Sequence, residues 1–284
     1  MAETAGTPRL RALGAALRRA REAAGLTMRE LSSRVGIPYA NISFWENARR
    51  VPRVEDVATL LTALGVPADE RERLLDLARG AADKNWLATG FVGASPQLAG
   101  VMECERIAAE IVDWSPLLIP GLLQVGDYAR TILSDTNEPA GTIEARVALR
   151  LARREVLLRR TPPPPHLVAL IGEAALRTPI GGPEVMADQL RHVLQMSERD
   201  NITVRIVPFS AGWHTGLAGM FVLYVFEDMP STVHLEHHRS GVFLDDDGDV
   251  AAYQEVADTI RQLAMSPEES AELITATLKE WEAA

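Results

Sequence analysis

One stretch limits what this chain can fold into more than any other: GLTMRELSSRVGIPYANISFWENARR, residues 25–50. Thr27 and Glu30 have the spacing of a capping box, in which Thr27 caps a helix and Glu30 reaches back to the Thr27 amide. That helix has room for about two turns before Gly36. Pro38 suits the first turn of a following helix, which runs to about Asn47. Two short helices joined by a tight turn containing glycine make a helix-turn-helix. Leu31, Val35, Ile42 and Trp45 fall where both helices must bury side chains against the preceding helix, in which Leu10, Leu13 and Leu17 recur at helical spacing. The first seven residues read as a frayed tail. VPRVEDVATLLTALG and ADERERLLDLARGA add a fourth and a fifth helix, so the spacing predicts an all-α five-helix domain over 1–82.

The charge distribution sets this segment apart from the rest. The chain of 284 residues carries a formal net charge of -10, yet residues 1–80 hold 13 basic against 10 acidic side chains and the remainder 16 against 29. Within Arg9–Arg53 the balance is 10 to 3. A basic module on an acidic body suits a nucleic-acid partner at one end only; arginines that simply solvate helix surfaces give the same count. In the third helix, Tyr39, Ala40, Asn41, Ser43 and Phe44 are expected on the side that can reach base edges in a major groove. Asn47, Arg49, Arg50 and Arg53 follow, and their donors suit phosphate oxygens, which set register without reading sequence.

Residues 83–97 include the Gly-containing stretch GFVGASPQ and are read as a linker. A helix is expected over about 98–113, then a proline-marked stretch, then the arginine-rich helix TIEARVALRLARREVLLRR, whose like charges read as a solvated face. TPPPP ends that helix as a stiff spacer. Beyond it the period changes. HLVALIGE, ITVRIVPF, MFVLYVFED, VHLEHH and GVFLDD read as strands, PEVMADQLRHVLQMSE as a helix, and the final stretch as helical behind the capping box Ser266–Glu269. The fold class is therefore α+β: a helical N-terminal domain, then a mixed α/β domain over 98–284.

On these residues the chain resembles known families. GLTMRELSSRVGIPYANISFWENARRVP is similar to the phage Cro/repressor-type (XRE) helix-turn-helix over roughly 9–65, through Gly25, Leu26, Glu30-Leu31, Gly36, Ile42, Ser43 and Glu46-Asn47. The resemblance implies that Arg21 pairs with Glu46 as a structural contact. Met28 departs from the glutamine common there, which contacts a phosphate, and Ala48 replaces a common glycine. WSPLLIPGLLQVGDYAR, GEAALRTPIGGPEVMADQLRHVL, ITVRIVPFSAGWHTGLAGMFVLYVF and SPEESAELI resemble the actinobacterial (Streptomyces-like) C-terminal domain called DUF5753. Together the resemblances imply a transcription regulator that binds double-stranded DNA, with a small protein partner or a small-molecule effector.

The larger domain offers few chemical signals. Glu173, Arg177, Gln189, Trp213 and His214 are candidates to line a ligand site. Equally, Glu173 and Arg177 are one helical turn apart and suit an ion pair, Gln189 suits a surface position, and SAGWHTGLAG suits a plain connection as well as a flap. His234, Glu236 and His238 alternate along a strand and share a face, but their spacing matches no strong zinc signature. No nucleophile motif and no phosphate loop appears. We expect no enzyme activity, no cofactor and no metal. Cys104 cannot pair internally and reads as a small core residue. Without an apolar run of membrane length or a leader pattern, a cytoplasmic protein is expected. One helix-turn-helix reads only a few base pairs, so a homodimer on two half-sites is expected, with Trp281 on the terminal helix a candidate for the contact. An antitoxin-like interaction module acting with a small neighbour-encoded partner is the alternative.

Overall fold

The computed structural model describes residues 6–83, 86–89, 96–134, 140–237 and 240–284. In chain order its elements begin with five helices, α1 (Pro8–Ala23), α2 (Met28–Val35), α3 (Tyr39–Glu46), α4 (Val54–Ala63) and α5 (Ala68–Arg79). Next come β1 (Trp86–Thr89), α6 (Pro96–Ile107), β2 (Glu110–Ser115), α7 (Gly126–Ser134), α8 (Ala140–Arg153) and α9 (Glu155–Leu158). They are followed by β3 (His166–Gly172), α10 (Glu173–Arg177), α11 (Pro183–Ser197), β4 (Ile202–Val207) and β5 (Phe221–Val225). The chain continues through β6 (Thr232–His237), β7 (Ser240–Leu244), α12 (Asp247–Leu263) and α13 (Pro267–Glu282). The fold is α+β, as the periodicity indicates.

The chain divides into two compact units. One comprises Met1–Ile107 with Phe226–Val250, the other Ala108–Val225 with Ala251–Ala284. This grouping cuts across the sequence-based boundaries, because the hairpin β6–β7 belongs with the N-terminal helices.

In the first unit, Leu10, Leu13, Leu17, Leu31, Ile42, Trp45, Val57, Leu60 and Leu61 form the helical core. Both capping-box contacts of Thr27 and Glu30 are made. Gly36 ends α2 in the left-handed conformation (φ +72°), which costs glycine nothing and lets the chain turn within two residues into α3. The tail expected to fray does not extend through Thr7: this buried residue caps α1, accepting from the Leu10 amide and donating to the Ala81 carbonyl (2.6 Å). β1, which lies inside the stretch read as a linker, pairs antiparallel with β7, and β7 with β6.

The buried surroundings of Arg11 were not expected. Its side chain is 1% exposed. It donates to Thr232 Oγ1 (2.7 Å) and the Pro230 carbonyl (3.1 Å), touches Cys104 Sγ (3.6 Å) and lies over the Phe226 ring (4.1 Å). The helix that precedes the helix-turn-helix, α1, is thus fastened to α6 and to the segment that leads into β6. Cys104 is fully buried, and burial pushes its thiol up to about 11, so it is the inert core residue its neighbours in sequence suggest.

The second unit is built on four strands in the order β5-β2-β3-β4. β2, β3 and β4 run parallel and β5 runs antiparallel to β2. The helix expected over 98–113 is corrected here: α6 stops at Ile107 and residues 110–115 form β2, flanked by strands on both sides. Trp114, Leu170, Ile171, Leu190, Val193, Ile206, Phe221, Tyr224 and Ile260 fill this core. No helix among the described residues is long and apolar enough to cross a membrane.

Candidate nucleic-acid interface

The position of α3 is set from behind. Gly14 of α1 lies where a Cβ would come within 2.6 Å of the Trp45 carbonyl oxygen, so only glycine lets α1 approach the end of α3 this closely. Arg21 holds Glu46 through two bonds, Nε to Oε1 (2.7 Å) and Nη2 to Oε2 (2.8 Å), with both side chains almost wholly buried. The Glu46 contact is the main cause that raises the Arg21 pKa above its ordinary value. A bidentate guanidinium–carboxylate pair fixes direction as well as distance. Arg18 adds bonds to the Glu46 carbonyl (2.5 Å) and Asn47 Oδ1 (3.4 Å) and an ion pair with Glu103 (3.6 Å). Sequence reasoning missed Arg18 and Gly14. Gly14 stands out only as a glycine inside a helical pattern, where it must have a packing reason.

On the opposite side Tyr39 and Ala40 are exposed, and Asn41, Ser43 and Phe44 are half-buried. Arg50 reaches back over this face: its Nη1 donates to Asn41 Oδ1 (3.2 Å) and its guanidinium lies 5.0 Å from the Phe44 ring centre. Asn47 is exposed and donates to the Ser43 carbonyl (2.8 Å), so its amide already closes the helix end. Arg49, Arg50 and Arg53 are exposed, as are Arg19, Arg29 and Arg34. Ala48 carries the turn after α3 at φ +54°, a conformation that favours the glycine it replaces. The basic count is therefore smaller at the surface than in the sequence, because Arg11 and Arg21 point inward.

The residues considered for a ligand site are all in the second unit, and three of them, Glu173, Arg177 and Gln189, hold polar partners of their own. Arg177 donates to Glu173 (2.8 Å) and Glu280 (2.9 Å), and Glu173 also accepts from the Phe209 amide (3.0 Å). Gln189 is fully buried rather than at the surface, accepting from the Val125 amide (2.9 Å) and donating to the Leu123 carbonyl (2.8 Å). His214 is buried with its ring edge-on to Trp114, while its neighbour Trp213 is 82% exposed. His234 is buried against Phe243; His238 lies outside the described residues, among which no three His, Cys, Asp or Glu side chains are grouped to hold a metal ion. Trp281, considered for a dimer contact, donates to the Leu176 carbonyl (2.9 Å) within its own unit.

This geometry defines a helix-turn-helix protein, and the family model described as a helix-turn-helix domain matches residues 12–74. The chain belongs to the family of the domain of unknown function DUF5753, whose model matches residues 98–276, more than half its length. No curated protein sequence matches it. Among solved structures, TrmBL2, described as an archaeal chromatin protein with a novel mode of DNA binding, aligns over 88% of this chain and 93% of its own at 14% identity. Its TM-score of 0.32 is too low for the likeness to establish fold or function.

Proposed function

We propose that this chain is a sequence-specific DNA-binding transcription regulator. In this reading α3 enters a major groove. Tyr39, Ala40, Asn41, Ser43 and Phe44 face base edges, while Asn47, Arg49, Arg50 and Arg53 engage the phosphates beside them. The observation that carries it is the combination of a helix clamped from behind by Arg21, Arg18 and the Gly14 contact with a solvent-facing side that ends in three exposed arginines. A helix used only for core packing would need neither the clamp nor the exposed Tyr39.

The DUF5753 region, about 98–284, acts in this reading as the part that senses a small molecule or a protein partner and supports a homodimer in the cytoplasm. The test is fluorescence anisotropy of the full chain on DNA from upstream of its own gene, titrated with salt. Phosphate contacts release counterions, so affinity should fall steeply as salt rises. Arg49→Ala with Arg53→Ala should weaken binding to all sequences by a similar factor. Ser43→Ala or Tyr39→Ala should change the order of preference among sequences. No preference for any DNA, at any salt, by a folded chain would remove the reading.

A further inference from the structure

Four of the five large apolar side chains that stand exposed among the described residues are Leu117, Phe209, Trp213 and Leu217; the fifth, Tyr39, is on α3. The four follow the carboxyl ends of the parallel strands. The register sets Ser115 beside Ile171 and Gly172 beside Val207, so the chain leaves β2, β3 and β4 at one edge. A Cβ on Gly172 would lie 2.3 Å from the Pro116 carbonyl oxygen, and the Phe209 amide donates to Glu173 (3.0 Å). Residues 115–117, 172–173 and 208–209 are therefore neighbours. The loop 208–219 is seated on them. Trp114 Nε1 donates to the Gly216 carbonyl (2.7 Å), His214 is buried against the Trp114 ring, and Gly216 presses on Ile260, where a Cβ would come within 2.6 Å. The loop buries its anchors and turns Phe209, Trp213 and Leu217 outward. An indole held in water on a rigid support is what the centre of a protein interface requires.

We propose that this patch is the contact through which two copies of the chain associate. The occupant is argued from charge. Each copy carries -10, so acidic faces repel wherever two copies meet. Residues 114–125 and 208–219 contain no Asp, Glu, Lys or Arg. The bordering carboxylate, Glu173, is engaged by Arg177 and the Phe209 amide. A two-fold contact places the same patch on both sides, and an uncharged apolar patch is complementary to itself. The need for two half-sites rests on the regulator reading; the contact itself does not.

The experiment is sedimentation velocity of the full chain, without DNA, across a micromolar concentration series. The unmodified chain is expected to dimerise. Trp213→Ser combined with Leu217→Ser should weaken the dimer at least ten-fold with an unchanged circular dichroism spectrum. Leu117→Arg, on the other loop, should do the same and covers the case in which the first variant misfolds. A monomeric unmodified chain overturns the proposal, including one whose Trp213 instead takes up an apolar dye or another protein. So does a folded variant that stays fully dimeric. A chain that dimerises through the patch yet binds no DNA upholds the contact while removing the regulator reading, and a DNA-binding monomer does the reverse.

Discussion

Single residues decide whether α3 is presented correctly. Removing one partner of the Arg21–Glu46 pair leaves a buried charge unpaired, so Arg21→Met or Glu46→Gln should each cost about 3 kcal/mol in denaturant unfolding, within the range for broken buried pairs. The double replacement by apolar residues should cost clearly less than the two singles added. Gly14→Ala must push a methyl into the Trp45 carbonyl and should destabilise by about 1–3 kcal/mol, with a loss of DNA affinity larger than the loss of helix content. Ala48→Gly should act in the other direction, raising stability by about 1 kcal/mol, because glycine pays no steric penalty at φ +54°. Arg11 was illegible at this scale. An arginine in RLRALGAALRRAREA reads as helix surface, and only the distant residues Phe226, Pro230 and Thr232 reveal that it points inward.

At the scale of elements, local chemistry made the helix-turn-helix legible. Capping boxes, Gly36 and the leucine spacing all act within a few residues. β2 was missed for a physical reason. A central strand flanked on both sides and buried on nearly every residue has no polar face, so EIVDWS shows no alternation and merges with the helix before it. The ligand candidates show the same limit: Gln189 looks like one more polar residue on an amphipathic helix until its bonds to residues 123 and 125 are seen. His192 on α11 carries a pH consequence. Burial, and after it the Arg154 guanidinium 2.9 Å away, lower its pKa below the ordinary value. The unfolded chain then binds the proton more readily than the folded one, so stability should rise with pH through the window just below the ordinary histidine value and be lost as pH falls through it. His192→Gln should reduce the drop in Tm between pH 7 and pH 5 that the unmodified chain shows.

At the scale of the whole molecule, the N-terminal helices do not make a unit alone. A fragment of residues 1–82 keeps Arg11 but lacks Cys104, Phe226, Pro230 and Thr232, and it exposes the face of α1 that packs against α6. Its thermal midpoint should therefore lie well below that of the full chain, measured by circular dichroism, and Arg11→Met should narrow the gap by removing a charge that has lost its surroundings. The same anchor governs how such a protein can change over evolutionary time. A DNA-reading segment that stands free can be exchanged between genes as a cassette. Here the swap must bring residues near 226–232 along with the first eighty, or the incoming helix will meet a socket shaped for someone else's arginine. In the regulator reading proposed above, new DNA preferences should accordingly arise by substitution on the outer side of α3, within a lineage, rather than by trading whole N-terminal segments between lineages.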